Sequence, residues 1–204
     1  LFRNPQAVLI DPAFLDTLSD RELRSGYAEV IKHSLIADLS QWESLQQITD
    51  LRSADWAGII PASLSIKKQI VEADPFEKGL RKALNFGHTI GHAIEGHALE
   101  TDTPLLHGEA IAIGMICEAF LSTQQQGLPE VQLRQITDYL TARYGKAALR
   151  PDDYPAYLQL MGNDKKNEGQ AINFSLLPEA GKVVVNQTAG KSHITAALNF
   201  YNSL

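Results

Sequence analysis

The chain has 204 residues, 44% hydrophobic and 21% charged, the balance of a folded globular protein rather than a disordered or collagen-like one. No run of about 18 uncharged apolar residues occurs, so no transmembrane helix is expected, and a net charge of −6 argues against a nucleic-acid partner, which needs a basic surface. The single cysteine, Cys117, excludes an internal disulfide framework and suits a reducing cytoplasm.

The first residues lack the charged and apolar regions of a signal peptide. Ala7–Asp11 (AVLID) reads as a short buried strand. Few strand-like runs lie nearby to pair with it, which points to one part of a longer protein, cut near a domain boundary. Ser19 opens the first helix, with Glu22 three residues later completing a capping box, and the helix runs through Ile36. A short helix begins at Ser53–Trp56. Pro61 suits the first position of the next, which runs to Asp74, where Pro75 stops it. Leu84–Leu99 is mostly apolar and reads as one helix. His107–Gln124 is hydrophobic nearly all round and is expected to be the central buried helix. Pro129 opens another helix ending near Gly145, and Pro155–Met161 is a short one. Ile172–Leu177 and Lys182–Gln187 are strand-like, joined by a turn containing Pro178 and Gly181. Ser192 caps a last helix. The expected fold is mainly α: a helical domain with one late β-hairpin and an orphan N-terminal strand.

The densest chemistry lies in Arg81–Glu95 (RKALNFGHTIGHAIE). His88 and His92 are four apart, which on a helix places both rings on one face, about 6 Å apart at the backbone. Such a pair can share a metal ion or divide between metal and substrate; the bland alternative is an amphipathic helix with two satisfied histidines. The apolar surroundings weaken that alternative, because buried imidazoles need partners. His107 begins the most apolar helix, a poor place for a cation and a reasonable one for a neutral, metal-ligating ring, or for a cap. Glu109 fits the first turn electrostatically and needs no catalytic role. Glu29 sits among apolar neighbours, where a carboxylate needs a cation: Lys32 at i+3 as a helix salt bridge, or a metal. From spacing alone the two readings stand level, although two His and one Glu with an open position is a common catalytic zinc set. Between residues 61 and 90, five basic side chains (Lys67, Lys68, Lys78, Arg81, Lys82) face three acidic ones, so this window is positive in a negative chain. Asn163–Asn167 (NDKKN) forms a second basic cluster; either could bind phosphate or carboxylate, or be a solvated face. Cys117, mid-helix among apolar residues, reads as core. His97 and His193 read as surface or capping residues. Phosphate-binding glycine motifs and a serine nucleophile elbow are absent.

Taken together, Leu23–Lys32 (LRSGYAEVIK), Gly79–Glu95, Leu105–Met115 (LLHGEAIAIGM) and Asp164–Lys166 resemble, in order and spacing, the C-terminal domain of the 3-dehydroquinate synthase family. The resemblance covers essentially the whole chain. It implies an enzyme with NAD in an N-terminal α/β domain, a divalent metal (zinc or cobalt) in a helical C-terminal domain, and substrate in the cleft between them. It implies conversion of 3-deoxy-D-arabino-heptulosonate 7-phosphate to 3-dehydroquinate and phosphate: oxidation of a hydroxyl by NAD, β-elimination of phosphate, return of the hydride, then ring opening and an aldol closure, with the metal as Lewis acid. Carried over by motif, Glu29, His88 and His107 would ligate the metal, and His92 would face substrate near the departing phosphate. Lys67 and Arg81 would hold the substrate carboxylate, and Lys32, Asn85 and one of Lys165 or Lys166 would complete the pocket. Phe14, Leu15, Asp16 and Thr17 match a stretch at the cofactor edge. On this pattern residues 1–13 are the end of a nucleotide-binding domain whose remainder is missing, residues 14–204 are the metal and substrate domain, the chain by itself is inactive, and the full-length protein is a cytoplasmic homodimer. His33 stands where the family leads us to expect Tyr.

The nearest rival is another sugar-phosphate cyclase, a 2-deoxy-scyllo-inosose or 2-epi-5-epi-valiolone synthase. Lys67 and Arg81, as a carboxylate pair, discriminate against it because those substrates lack a carboxylate. A metal-dependent alcohol or glycerol dehydrogenase is a further rival, but its metal set typically begins with Asp where this chain has Glu29. A non-catalytic helical module with the motifs kept only as core is the reading from another class; protection of the fold by stoichiometric metal would count against it.

Overall fold

A computed structural model of the chain describes residues 6–102, 104–162 and 172–204. The elements in order are a 3-10 turn (Pro12–Thr17), α1 (Asp20–Ala37), α2 (Leu39–Leu45), α3 (Trp56–Ala73), a second 3-10 turn (Leu80–Asn85), α4 (His88–Ala98), α5 (His107–Gln126), α6 (Glu130–Tyr144), a short 3-10 turn (Pro151–Asp153), α7 (Tyr154–Gly162), β1 (Ile172–Glu179), β2 (Lys182–Ala189) and α8 (Lys191–Ser203). The mainly helical class and the single late hairpin are as expected. Among the described residues no helix is long and apolar enough to cross a membrane.

α5 is the axis of the molecule. Every residue from Ala110 to Ala119 is buried, which is why its sequence shows no polar face. α1, α4, α6, α8 and β1 all pack around it. The hairpin lays the apolar run of β1 on α5 and ties back to α1 through the Gly181 N–H, which donates to the Leu35 carbonyl at 2.7 Å. Its register shifts between Phe174 and Leu176, opposite the left-handed Asn186 (φ 57°), as a bulge requires.

Several local expectations are corrected. Ala7–Ile10 forms no strand: Val8, Leu9 and Ile10 are 70%, 95% and 49% exposed and pair with nothing among the described residues. The helix at Ser53–Trp56 and the one at Pro61 are a single α3, capped by Asp55, with Pro61 inside it on an exposed face. α2 was not anticipated; Asp38 both ends α1 and accepts from the Gln41 N–H at 2.9 Å to start it. Leu84–Leu99 is not one helix. The 3-10 turn ends at Asn85, Gly87 turns the chain at φ 79°, and α4 begins at His88. β1 continues through Pro178, the turn being Ala180–Gly181. α8 starts after Gly190, with no side-chain cap from Ser192.

Candidate metal centre

Three helices bring the site together, and they approach as closely as backbones can. A Cβ on Gly114 would fall on the carbonyl oxygen of Gly87, and one on Gly108 would fall on the carbonyl of Ser25. α5 therefore lies against α1 at its head and against α4 near its middle without intervening side chains at those points. The α1–α5 contact is pinned further by the Ser25 hydroxyl, which accepts from the Gly108 N–H at 2.9 Å, and by a two-pronged Arg21–Glu109 pair at 2.7 and 2.6 Å. Glu109 also accepts from the Leu106 N–H, so its role is structural, as its position suggested. Ser25 and Glu29 are four apart on α1, so the same face that touches Gly108 presents Glu29 beside His107.

The Glu29 Oε1 atom lies 3.3 Å from His88 Nε2 and 3.7 Å from His107 Nε2, buried and without a hydrogen bond. The other ring nitrogens are tied off. His88 Nδ1 lies 3.1 Å from the Phe86 carbonyl and His107 Nδ1 lies 3.1 Å from the Glu95 carboxylate. A carbonyl or carboxylate oxygen only accepts, so each Nδ1 carries a proton, and in its neutral form each ring turns its Nε2 lone pair towards Glu29. In that form three electron-pair donors meet, and they repel unless a cation, a shared proton or a metal ion, sits in their midst. Donors around tetrahedral zinc at about 2.0–2.2 Å stand about 3.3–3.6 Å apart, close to the spacing seen here. The residues fit a metal.

His92 joins this group: the ligand atoms of His88, His92 and His107 all lie within 4.8 Å of one another, and the His92 ring centroid is 4.9 Å from that of His88 and 5.6 Å from that of His107. His92 is the exposed member, at the open side.

The salt bridge to Lys32 is formed and does not exclude the metal reading of Glu29, because it takes only one of the two oxygens. The buried Lys32 ammonium donates to Oε2 at 2.8 Å and leaves Oε1 to the histidines. Burial pushes the Glu29 carboxyl up, but the imidazoles of His107 and His88 and the Lys32 ammonium more than reverse this and hold it well below the usual carboxylate range. Burial lowers Lys32, with Glu29 opposing. His33, buried on the same helix, bonds through Nδ1 to the Ser63 hydroxyl at 2.7 Å, and burial with the nearby Lys32 lowers its pKa to about 4, so it is a neutral part of the wall.

The remaining predicted residues are placed as follows. Lys67 is exposed on α3, close enough for its charge to be felt by Lys32 and His33. Arg81 sits in the second 3-10 turn, its guanidinium donating to the Pro75 carbonyl at 2.9 Å and its N–H to Asp74. Asn85, in the same turn, donates to Glu77 at 3.0 Å. Phe14, Leu15, Asp16 and Thr17 form the first 3-10 turn; Arg52 ties the Leu15 and Leu18 carbonyls to Asp20 at the start of α1, nine residues and about 13 Å along the axis from Glu29. Lys165 and Lys166 lie outside the described residues. His97 is not a plain surface residue: its ring packs edge-on against Tyr157, with Nε2 3.8 Å from Asp153.

Sequence reasoning missed three carboxylates. Glu95 orients His107, and the only signal was its spacing three residues after His92 on a helix face. Glu77, with φ 56°, is a non-glycine held in the left-handed region, a strain that backbone geometry alone reveals. Glu118 is fully buried on α5 and accepts backbone N–H groups at the start of α4.

Known proteins share much of this sequence and fold. Residues 26–167 match the family described as 3-dehydroquinate synthase C-terminal. The chain is 41% identical over 203 residues to a 3-dehydroquinate synthase of Parabacteroides distasonis, an alignment covering 98% of this chain and 57% of that protein. It is 42% identical over 195 residues to one of Streptococcus mutans serotype c, covering 91% and 53%. The chain thus spans about half the length of these relatives. Among solved structures it resembles a 2-deoxy-scyllo-inosose synthase complexed with carbaglucose-6-phosphate, NAD+ and Co2+ (TM-score 0.74, 22% identity, 93% of this chain and 54% of that one). It also resembles 2-epi-5-epi-valiolone synthase from Streptomyces hygroscopicus subsp. jinggangensis 5008 with NAD+ and Zn2+ bound (TM-score 0.71, 25% identity, 95% and 54%). On the family match and these identities, the chain belongs to the 3-dehydroquinate synthase family.

Proposed function

We propose that the chain is the metal- and substrate-binding part of a 3-dehydroquinate synthase. The whole protein, a lyase, would use NAD and a divalent metal, zinc or cobalt, to convert 3-deoxy-D-arabino-heptulosonate 7-phosphate to 3-dehydroquinate and phosphate in the cytoplasm, as a homodimer. The observation that carries the reading is the convergence of Glu29 Oε1 with the Nε2 atoms of His88 and His107 at 3.3 and 3.7 Å. The relatives named 3-dehydroquinate synthase, and the neighbours solved with NAD+ and Co2+ or Zn2+, support it.

Glu29, His88 and His107 would hold the metal, which when bound supplies a Lewis acid beside the hydroxyl being oxidised. Lys32 neutralises Oε2 and so restricts Glu29 to ligation through Oε1. His92, the exposed ring of the cluster, would give or take a proton at the edge of the bound substrate, where phosphate leaves. Lys67 and Arg81 would bind the substrate carboxylate, and that pair favours a dehydroquinate synthase over cyclases whose substrates lack a carboxylate. Asn85, with one of Lys165 or Lys166, would complete the polar wall. Phe14–Thr17 would meet the cofactor edge, beyond a boundary near residue 13.

Elemental analysis of the purified chain beside its Glu29→Ala and His88→Ala variants tests the centre. About one zinc or cobalt per chain, lost in both variants, is expected. Metal retained at full stoichiometry in both sinks the assignment.

A further inference from the structure

α4 carries two of the site's imidazoles, yet its N-terminus has no cap of its own. The N-cap residue is Gly87, which has no side chain to accept from the exposed N–H groups of the first turn. A residue from another helix fills the role. Glu118 Oε2 accepts from the Gly87 N–H at 2.7 Å and Oε1 accepts from the Ile90 N–H at 3.1 Å. These two amides bracket His88. Glu118 is completely buried, 31 residues along the chain from Gly87, and takes no part in the metal cluster.

The geometry explains what such a cap controls. α4 and α5 run antiparallel: Gly87 lies beside Met115, Gly91 beside Ile111, and Glu95 beside His107. The glycine contacts let the two backbones touch and the His107–Glu95 pair ties their far ends, but neither bonds the first-turn amides of α4. Glu118 does, and its two oxygens meet two particular amides. A slip of one residue would move α4 by about 1.5 Å along its axis. That is enough to take His88 Nε2 out of reach of a metal whose other donors, His107 at the head of α5 and Glu29 on α1, are anchored elsewhere.

We infer that Glu118 is a positioning residue for the metal centre: through the Gly87 and Ile90 amides it sets the register of α4 on α5 and so holds His88 at ligating distance from Glu29 and His107. The inference rests on the metal reading proposed above, and its test separates the two. Glu118→Gln keeps the shape but exchanges one acceptor oxygen for an NH2 group that opposes a backbone N–H. In the metal-free chain, the NMR resonances of the His88 and His92 rings should move while those of His193 on α8 stay in place. Titration with cobalt(II) against a competing chelator should show binding weakened about 10–100-fold, the size of effect expected when the support of a ligand is removed, with an altered visible absorption spectrum. Glu118→Asp, which retains both oxygens on a shorter arm, should shift the same signals less; it also serves if the Gln variant fails to fold. Unmoved His88 resonances with unchanged cobalt affinity and spectrum, in a variant whose α4 amides exchange faster, would reduce Glu118 to an ordinary cap and overturn the inference. If the parent chain binds no cobalt but His88 still moves in the variant, the metal reading falls and the positioning of His88 by Glu118 stands.

Discussion

Two apolar stretches of this chain look alike on paper and end in opposite surroundings. Ile111–Cys117 on α5 is wholly buried, whereas Val8–Ile10 is largely exposed. The difference lies not in the residues but in what surrounds them. α5 has five elements packed on it, and its glycines let two of them approach to backbone contact. Val8–Ile10 finds no partner strand among the described residues and stays largely exposed. A hydrophobic run states a demand for burial; only the rest of the fold shows whether the demand is met. The site depends on the first situation. Glu29, His88 and His107 come from three helices, and their donor atoms stand within a few ångströms because Gly108 and Gly114 let α1, α4 and α5 approach to backbone contact.

The sharpest way to break the α5 side of this comparison is Gly114→Val. The added carbons would overlap the Gly87 carbonyl, and a backbone atom cannot rotate away as a side chain can. Overpacking of ordinary cores costs about 1–3 kcal/mol, and this backbone clash should lie at or above the top of that range. Urea denaturation should show the chain partly unfolded or strongly destabilised, with metal binding lost in parallel. A variant of near-parent stability would mean that α4 and α5 are not in contact at this point.

Features encoded within a few residues were legible in the sequence, and features completed from afar were not. Ser19 and Glu22 form the capping box their spacing announced, because both halves of the device lie in one turn. His88 and His92 share a face as i,i+4 spacing demands. The break at Gly87 was hidden because the cap that makes it possible arrives from Glu118 on another helix. Glu29 could not be decided between salt bridge and metal because spacing treats a carboxylate as one group, whereas the fold gives Oε2 to Lys32 and Oε1 to the histidines. Ser192 was a sound local cap signal overridden by where the hairpin delivers the chain, so that α8 starts after Gly190.

Buried Glu118 gives the comparison a pH axis. Burial pushes its carboxyl up to about 8, against the pull of the Ile90, Gly87 and Thr89 amides, while the unfolded value is 4.5; the neighbouring Cys117 thiol, itself pushed above the usual thiol range by burial, stays neutral. Between those values the folded chain binds a proton that the unfolded chain does not, so stability falls as pH rises through the window and levels off above it. The slope approaches about 1.4 kcal/mol per pH unit for one proton. Relative to Glu118→Gln, which cannot titrate, the parent should therefore lose stability steadily from pH 5 to pH 8 in urea melts. Parallel curves for the two proteins across that range would show that the carboxyl titrates normally and is not held in a dry interior.

The smallest effect belongs to the exposed stretch, and it is informative because it is small. Leu9 is 95% exposed, so Leu9→Ser removes almost no buried area and should change the stability of this chain by no more than about 0.5 kcal/mol, the range for surface substitutions. A core leucine such as Leu121, fully buried on α5, should cost about 2–5 kcal/mol when cut to Ala under the same conditions. Run side by side, the pair measures what the comparison claims: equal hydrophobicity in sequence, unequal burial in the fold. If Leu9→Ser instead cost about 2 kcal/mol, and the loss grew with protein concentration, the N-terminal stretch would be covered in solution by a second copy of the chain, and the contrast between the two regions would be one between an internal and an intermolecular core.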